Sequence, residues 1–396
     1  MNQHITSILL GLLLIPSGAA ADTFSDITNA IVGASPAIQA QKEAFRAQIL
    51  ASKAENTLDN PEIEFERLWN AGANGDNRWS AGVSQSFEWP GKYSARSKVV
   101  QAMAESNDIR MAELRTELTA RVSKALIDYI EAARKAALLA EADSLLTSLQ
   151  KATDKAYRHG ESTILEVNRT AVEAAGISAD YTEALSALSS RRADLEALGY
   201  NARTMPPLSC EIDFPRHELQ PDESYISAAL TSPTVKSAEA ALKVAEAEAN
   251  ATRSGRYPGF SIGYRHAFED GNHFNGISVG IELPLWRSGR EMAAANADKM
   301  ALSFQRQAAV TETTGRIRSL LNTVRGLNTR ISLLAPPVEN SNNQRLLLKA
   351  YQGGQISLLE YLRESAYFLE ARLSLISLRA ELARNATDLQ ALAPAN

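Results

Sequence analysis

Apolar residues recur along the chain with two distinct periods. From about Ser94 to Arg158 the stripe has a spacing of three and four, marked by Leu114, Leu118, Val122, Ala125 and Tyr129. That spacing predicts an amphipathic helix. The run contains no proline, and about 65 residues at a 1.5 Å rise give a helix on the order of 95 Å long. Further helices are predicted over 36–56, 162–198, 233–253, from 290 onward and over 356–392. Four shorter stretches alternate with period two instead. Ile63, Phe65 and Trp69 alternate with Glu62, Glu64 and Leu68, broken by Arg67, and Trp79, Ala81, Val83 and Phe87 alternate with Ser80, Gly82, Ser84 and Ser86. Phe260, Ile262, Tyr264 and His266 face away from Ser261, Gly263 and Arg265; Ile277, Val279, Ile281 and Leu283 face away from Ser278, Gly280 and Glu282. These are amphipathic strands, joined in pairs by the turn-forming segments Asn70–Asn77 and Glu269–Asn272.

The same order of elements occurs twice. Ser35-Pro36 and Ser232-Pro233 open helices 197 residues apart, and Asn60-Pro61 and Tyr257-Pro258 repeat that spacing. Near the end of each half, YRHGESTILEVNR (157–169) and YQGGQISLLEYLR (351–363) lie 194 residues apart between Ala/Leu-rich runs. Recurrence at nearly constant separation indicates duplication of one unit. Gly160 and Gly354 are placed to end one helix and release the chain into the next, as a residue tolerant of positive φ does. The chain therefore divides into an export signal (1–21), a first repeat (22–200), a Pro-rich connector (201–223), a second repeat (224–392) and a short tail (393–396). The export signal rests on the apolar run Ile8–Ile15, too short to span a bilayer, followed by small residues at Ala19 and Ala21. The connector, with Pro206, Pro207, Pro215 and Pro221, is expected to lie across the outside of the helical body.

Composition narrows the class. The chain is 45% hydrophobic and 22% charged, with only 6% aromatic residues, which favours alanine-rich helices in close contact. A formal charge of −5 argues against a nucleic-acid surface, which needs a basic patch. A single cysteine, Cys210, excludes an internal disulfide, and the five histidines do not fall at ligand spacing in the sequence. Cys210 and His217 lack a third group to make a reactive pair, and no hydrolase, zinc-protease or phosphate-loop pattern occurs. The expectation is a protein without catalytic residues, cofactor or metal site. Glu360 and Arg363, with Glu166 and Arg169 as counterparts, are the charged residues one turn beyond each repeated glycine, either a functional ring or ordinary surface ion pairs.

In order, an export signal, then twice a Ser-Pro helix, two strands, a Pro-Gly-Lys or Ser-Gly-Arg entry, a long helix, a YxxG turn and a return helix, resembles the TolC-like outer membrane efflux protein family. The resemblance covers nearly the whole mature chain. It implies a mainly α protein with a β-barrel portion: a homotrimeric duct in the outer membrane, in which each subunit gives four strands to a shared twelve-stranded barrel and its helices form a long periplasmic α-helical barrel. It also implies passive export of cargo handed over by a periplasmic adaptor (membrane fusion protein) and an inner membrane resistance-nodulation-division transporter, with outer membrane lipids around the strands. By the same resemblance, Tyr157, Gly160, Tyr351 and Gly354 shape the tip turns that meet those partners, and Glu360 and Arg363 occupy the positions of the periplasmic gate, with Arg363 where some members carry an acid. Pro336 and Pro337 interrupt the second long helix and predict a kink there. A similar Leu-Pro element in branches serving such transporters, including the heavy-metal (CzcC- and CusC-like) branch, leans the expected cargo toward metal cations, with multidrug efflux or protein secretion by the same architecture as the alternative. A reading of another class is an exported helical adaptor or coiled-coil protein without a pore.

Overall fold

The computed structural model describes residues 19–69, 78–216, 219–269, 271–286, 288–339 and 343–393. The expected turn at Asn70–Asn77, most of the expected export signal, His217 and most of the tail lie outside these. The chain order is α1 (Ala19–Gly33), α2 (Pro36–Ala54), β1 (Glu62–Leu68), β2 (Arg78–Phe87), α3 (Pro90–Arg158), α4 (Ile164–Ala197), α5 (Asp222–Ala229), α6 (Pro233–Ser254), β3 (Gly259–Glu269), β4 (Asn272–Glu282), α7 (Ser288–Glu339), α8 (Asn343–Gln352) and α9 (Leu358–Leu392). The chain is thus mainly α with one four-stranded sheet, as expected.

Three local readings are corrected. Helix α3 begins at Pro90 and runs 69 residues, because proline is well suited to the first helical position, where its missing N–H has no partner to lose. Helices α1 and α5, which precede the two Ser-Pro helices, are additional to the expected elements: α1, of 15 residues, begins inside the expected export signal, and α5, of only eight, takes in the last two residues of the expected connector. The connector also does more than cross the surface. Its Ile212 is buried in the main helical core, as is Tyr200 just ahead of it, and Arg134 of α3 binds the connector by donating from Nε to the Cys210 carbonyl (3.1 Å) and from a terminal nitrogen to the Ile212 carbonyl (2.9 Å).

The chain forms two compact units that cut across the sequence repeat, each built from both halves. One comprises the described residues within 19–35, 118–220 and 320–391. Its core joins Phe24, Ile27 and Ile31 of α1 to Val122, Leu126, Ile127 and Ile130 of α3, with Leu195 of α4 and Ala380 and Ala383 of α9. Small residues at 380 and 383 let α9 come close to α3. The contact is flanked by Arg384, which donates to Asp128 (2.6 Å) and Glu131 (2.8 Å), and by Lys124, which donates to Asp388 (2.7 Å). Asp143 of α3 accepts a hydrogen bond from Ser178 of α4.

The other unit comprises the described residues within 36–117, 221–319 and 392–393. In it α6 is capped by Ser232, whose side chain accepts from the Val235 N–H at 3.2 Å, with Pro233 at the first helical position. Helix α6 pairs with α7 through Arg306–Glu239 (2.6 Å) and Lys299–Glu246 (3.1 Å), while α2 reaches α3 through Gln48 and Asn107 (3.4 Å).

The sheet belongs to this second unit and has the order β1-β2-β3-β4, antiparallel throughout. The two predicted hairpins are therefore joined by a β2–β3 ladder running from Trp79↔Phe268 to Phe87↔Phe260. Glu269 pairs with Asn272, and Gly271 between them has φ 76°, a two-residue connection of the kind that needs left-handed backbone.

Candidate functional site

Two regions carry the predicted functional residues: the paired turns of the helical unit, and the two faces of the sheet.

The turns are built alike. Helix α3 ends in a Schellman motif: the Gly160 N–H donates to the Tyr157 carbonyl (3.0 Å) and the Glu161 N–H to the Ala156 carbonyl (2.9 Å), with Gly160 at φ 76°. Helix α8 ends identically, Gly354 to Tyr351 (3.0 Å) and Gln355 to Ala350 (2.8 Å), with Gly354 at φ 67°. Three residues past each glycine a hydroxyl caps the next helix, and three further on a glutamate closes a capping box. Thr163 Oγ1 accepts from the Glu166 N–H (3.3 Å), and the Glu166 carboxylate accepts from the Thr163 N–H (2.9 Å). Ser357 Oγ accepts from the Glu360 N–H (3.2 Å), and Glu360 accepts from the Ser357 N–H (2.9 Å) and Oγ (2.9 Å). Backbone donation from Thr163 and Ser357 is the main reason that both carboxyls lie below the usual glutamate value.

Glu360 is therefore bonded to its own helix end. Arg363 does not reach it; its guanidinium is 74% exposed and lies 3.5 Å from Glu364. Arg169 likewise lies near Glu173 (3.8 Å). The signal for this arrangement, Thr-x-x-Glu and Ser-x-x-Glu ahead of an apolar helix, stands in the sequence at 163–166 and 357–360.

The tyrosines of the twin turns differ. Tyr157 is 45% exposed. Tyr351 stacks on Tyr361 of α9, ring centroids 5.2 Å apart and planes 24° apart, in a small core with Leu358 and Leu362. Burial raises the Tyr351 hydroxyl pKa, and the charge of Glu166 raises it further. Pro336 and Pro337 lie inside α7 near Glu339, and residues 340–342, between α7 and α8, lie outside the described residues. Arg379 of α9 holds that end by a two-pronged bond to Glu339 (2.6 and 2.9 Å).

The register sorts the sheet into two unlike faces. One carries Glu62, Glu64, Glu66, Ser80, Gly82, Ser84, Ser261, Gly263, Arg265, Gly276, Ser278 and Gly280, with Phe274 and Leu68 the large apolar exceptions. This side is crowded: a Cβ at Gly263 or Gly280 would meet the Oγ of Ser278 or Ser261 at 2.6 or 2.4 Å. Arg265 reaches across β2, at Gly82, to Glu64 (2.8 Å). The opposite face carries Ile63, Phe65, Val83, Ile262, Tyr264, Ile277, Val279 and Ile281, most of them wide open, with Ile63 82%, Ile277 78% and Val279 74% exposed. Among the described residues no helix is long and apolar enough to cross a membrane.

Residues 225–394 match the family model of the outer membrane efflux proteins. The fold of the whole chain is that of solved bacterial outer membrane channels. The Campylobacter jejuni CmeC outer membrane channel superposes with a TM-score of 0.77 at 14% identity, covering 99% of this chain and 93% of that one. The Neisseria gonorrhoeae MtrE outer membrane channel in its open state gives 0.74 at 18%, covering 94% and 89%. CusC, whose structures concern folding and transmembrane channel formation, gives 0.76 at 16%, covering 95% and 92%. No protein of established function matches the sequence itself closely enough to count as a relative. The family match thus lies in the second half of the chain, and the likeness to the solved channels is one of fold.

Proposed function

We propose that the chain is one subunit of a homotrimeric outer membrane exit duct, passive in itself, that receives cargo from an inner membrane transporter through a periplasmic adaptor. The observation that carries this reading is the sheet. Its apolar face is exposed in the isolated chain, its other face is small and polar, and β1 and β4 are edges. Backbone groups at such edges cannot face lipid, so a membrane sheet has to close. Strand direction alternates from β1 to β4, so β4 of one copy can pair antiparallel with β1 of the next, and three copies make a closed ring of even strand number. Lipid would then meet Ile63, Ile277 and Val279, and water the row Glu62, Glu64, Glu66 and Arg265.

In this reading the two glycine turns form the periplasmic tip that meets adaptor and transporter. Glu360 and Arg363 stand near the bore, and the Pro336-Pro337 end of α7 is the hinge. Arg363, free of Glu360 within its own chain, is available to a carboxylate of a neighbouring subunit. The likeness to CusC is no greater than that to the other channels, so the metal-cation cargo expected from the Leu-Pro element gains nothing from it. The broader assignment, a general efflux duct whose cargo is chosen by the transporter, is the one proposed.

Reconstitution in planar bilayers tests it. Discrete conductance is expected, larger when Glu360 and Arg363 are both replaced by Ala, together with a trimer by native mass spectrometry. Absence of conductance from wild type and variant alike, with a monomeric mass, would sink the duct in favour of a helical protein without a pore.

A further inference from the structure

The β3–β4 hairpin brings together two histidines that lie seven residues apart in sequence. His266 pairs with Asn275 and Phe268 with His273, so His266 and His273 are diagonal neighbours on the same face. Their ring nitrogens, Nε2 of His266 and Nδ1 of His273, are 3.2 Å apart, with ring centroids at 5.3 Å. The Asn275 Oδ1 accepts from the Tyr264 hydroxyl (2.7 Å) and lies 2.8 Å from His266 Nδ1. A carbonyl oxygen can only accept, so His266 carries its proton on Nδ1 and turns the lone pair of Nε2 toward His273. An outer hydrogen bond that fixes the tautomer and aims the free nitrogen is the support that metal-binding imidazoles usually have.

From this we infer that His266 Nε2 and His273 Nδ1 are two adjacent ligands for a borderline divalent transition metal ion such as Cu2+, Ni2+ or Zn2+, with solvent completing the coordination. A separation of 3.2 Å subtends an angle of about 100° at an ion roughly 2.0–2.1 Å from each nitrogen, between the square and tetrahedral values. Without the ion, the contact holds as a hydrogen bond donated by His273 Nδ1–H. On binding, that proton moves to Nε2 of His273, both rings stay neutral, and no further acid or base is required.

Trp79, 5.4 Å from His266 and paired with Phe268, and Phe268, 5.1 Å from His273, flank the pair with aromatic rings. The guanidinium of Arg67, on the same face, lies instead over the Trp69 ring at 5.8 Å. Among the described residues no three His, Cys, Asp or Glu side chains converge on one point, so this is a site with two protein ligands; it lies on the same face as Ile277 and Val279 but within three residues of the Glu269–Asn272 turn, and in the duct reading solvent reaches it from that turn. Binding needs only the hairpin and stands or falls independently of any transport role.

The test is a Cu2+ titration of the full-length protein, purified in detergent without a histidine tag, followed by tryptophan fluorescence. Saturable quenching is expected, largely removed by W79F and competed only by a large excess of the weaker-binding Zn2+. H266F and H273F, which keep an aromatic ring in place, should each weaken apparent affinity about tenfold or more by leaving a single imidazole. Electron paramagnetic resonance of the Cu2+ complex of the unaltered protein supplies a readout that no folding defect can imitate, and coupling to two imidazole nitrogens is expected. Quenching that does not saturate, affinity unchanged in both variants, or oxygen-only coordination would each overturn the site and leave the pair as a hydrogen bond.

Discussion

At Gly160 and Gly354 the backbone sits at φ 76° and 67° with nothing near the place where a Cβ would go. Space is available at both sites, so the cost of a side chain there is conformational. Gly354→Ala and Gly160→Ala should each destabilise the turn by about 1–2 kcal/mol, and Gly354→Asn by less, read as lower amide protection over the turn and a lower apparent melting temperature. Removing the caps acts on the following helix instead. Ser357→Ala and Thr163→Ala should cost about 0.5–2 kcal/mol each. Acid should reproduce part of this effect. The Glu166 and Glu360 carboxyls are held below the usual value by the capping N–H groups. Their contribution is thus complete above the ordinary glutamate value and disappears as pH falls through the lowered one. Protection factors at residues 163–167 and 357–361, taken relative to the intrinsic exchange rate at each pH, should fall on acidification in the unaltered protein and stay constant in a Glu166→Gln, Glu360→Gln variant.

Among the elements, the contact between α3 and α9 decides the stability of the helical unit. Ile127 and Ile130 are fully buried there, and Ile130→Ala should cost about 2–5 kcal/mol, the range for truncating a packed aliphatic side chain. Arg384 beside them is raised above its usual value by Glu131 and Asp128 even though burial acts against its charge. Its removal leaves the Glu131 side chain, 14% exposed, short of a partner, and Arg384→Ala should cost about 1.5–3 kcal/mol, measured by chemical denaturation in detergent; Arg384→Lys should recover part of it. The helices themselves were legible, since periodicity and Ser-Pro openings carry that information locally. Helix α5 was not, because eight residues hold too few turns to show a period. The connector's prolines predict a surface strap, yet its apolar residues, Ile212 with Met205, Leu208 and Phe214, pack into the core.

For the whole molecule, the duct reading rests on the difference between the sheet's faces. Val279→Arg places a charge on the face assigned to lipid, where it should oppose insertion by roughly 2–4 kcal/mol near the midplane. Ser278→Lys, one residue away on the polar face, should insert normally. Folding into lipid vesicles, followed by protease protection and heat-modifiable gel mobility, checks the pair; equal behaviour of the two would count against a membrane sheet.

By itself the sequence determined the order of elements, the duplication, the two-faced character of each strand and the turn chemistry that Tyr157–Gly160 and Tyr351–Gly354 share, because each depends on residues within a few positions of one another. Only the tertiary structure decided that β2 pairs with β3, that the compact units mix the two repeats, and that Glu360 binds Ser357 while Arg363 does not reach it. It also decided that His266 meets His273. Those outcomes depend on strand register and helix rotation, where a shift of one residue moves a side chain to another face, and no local pattern in the chain specifies them.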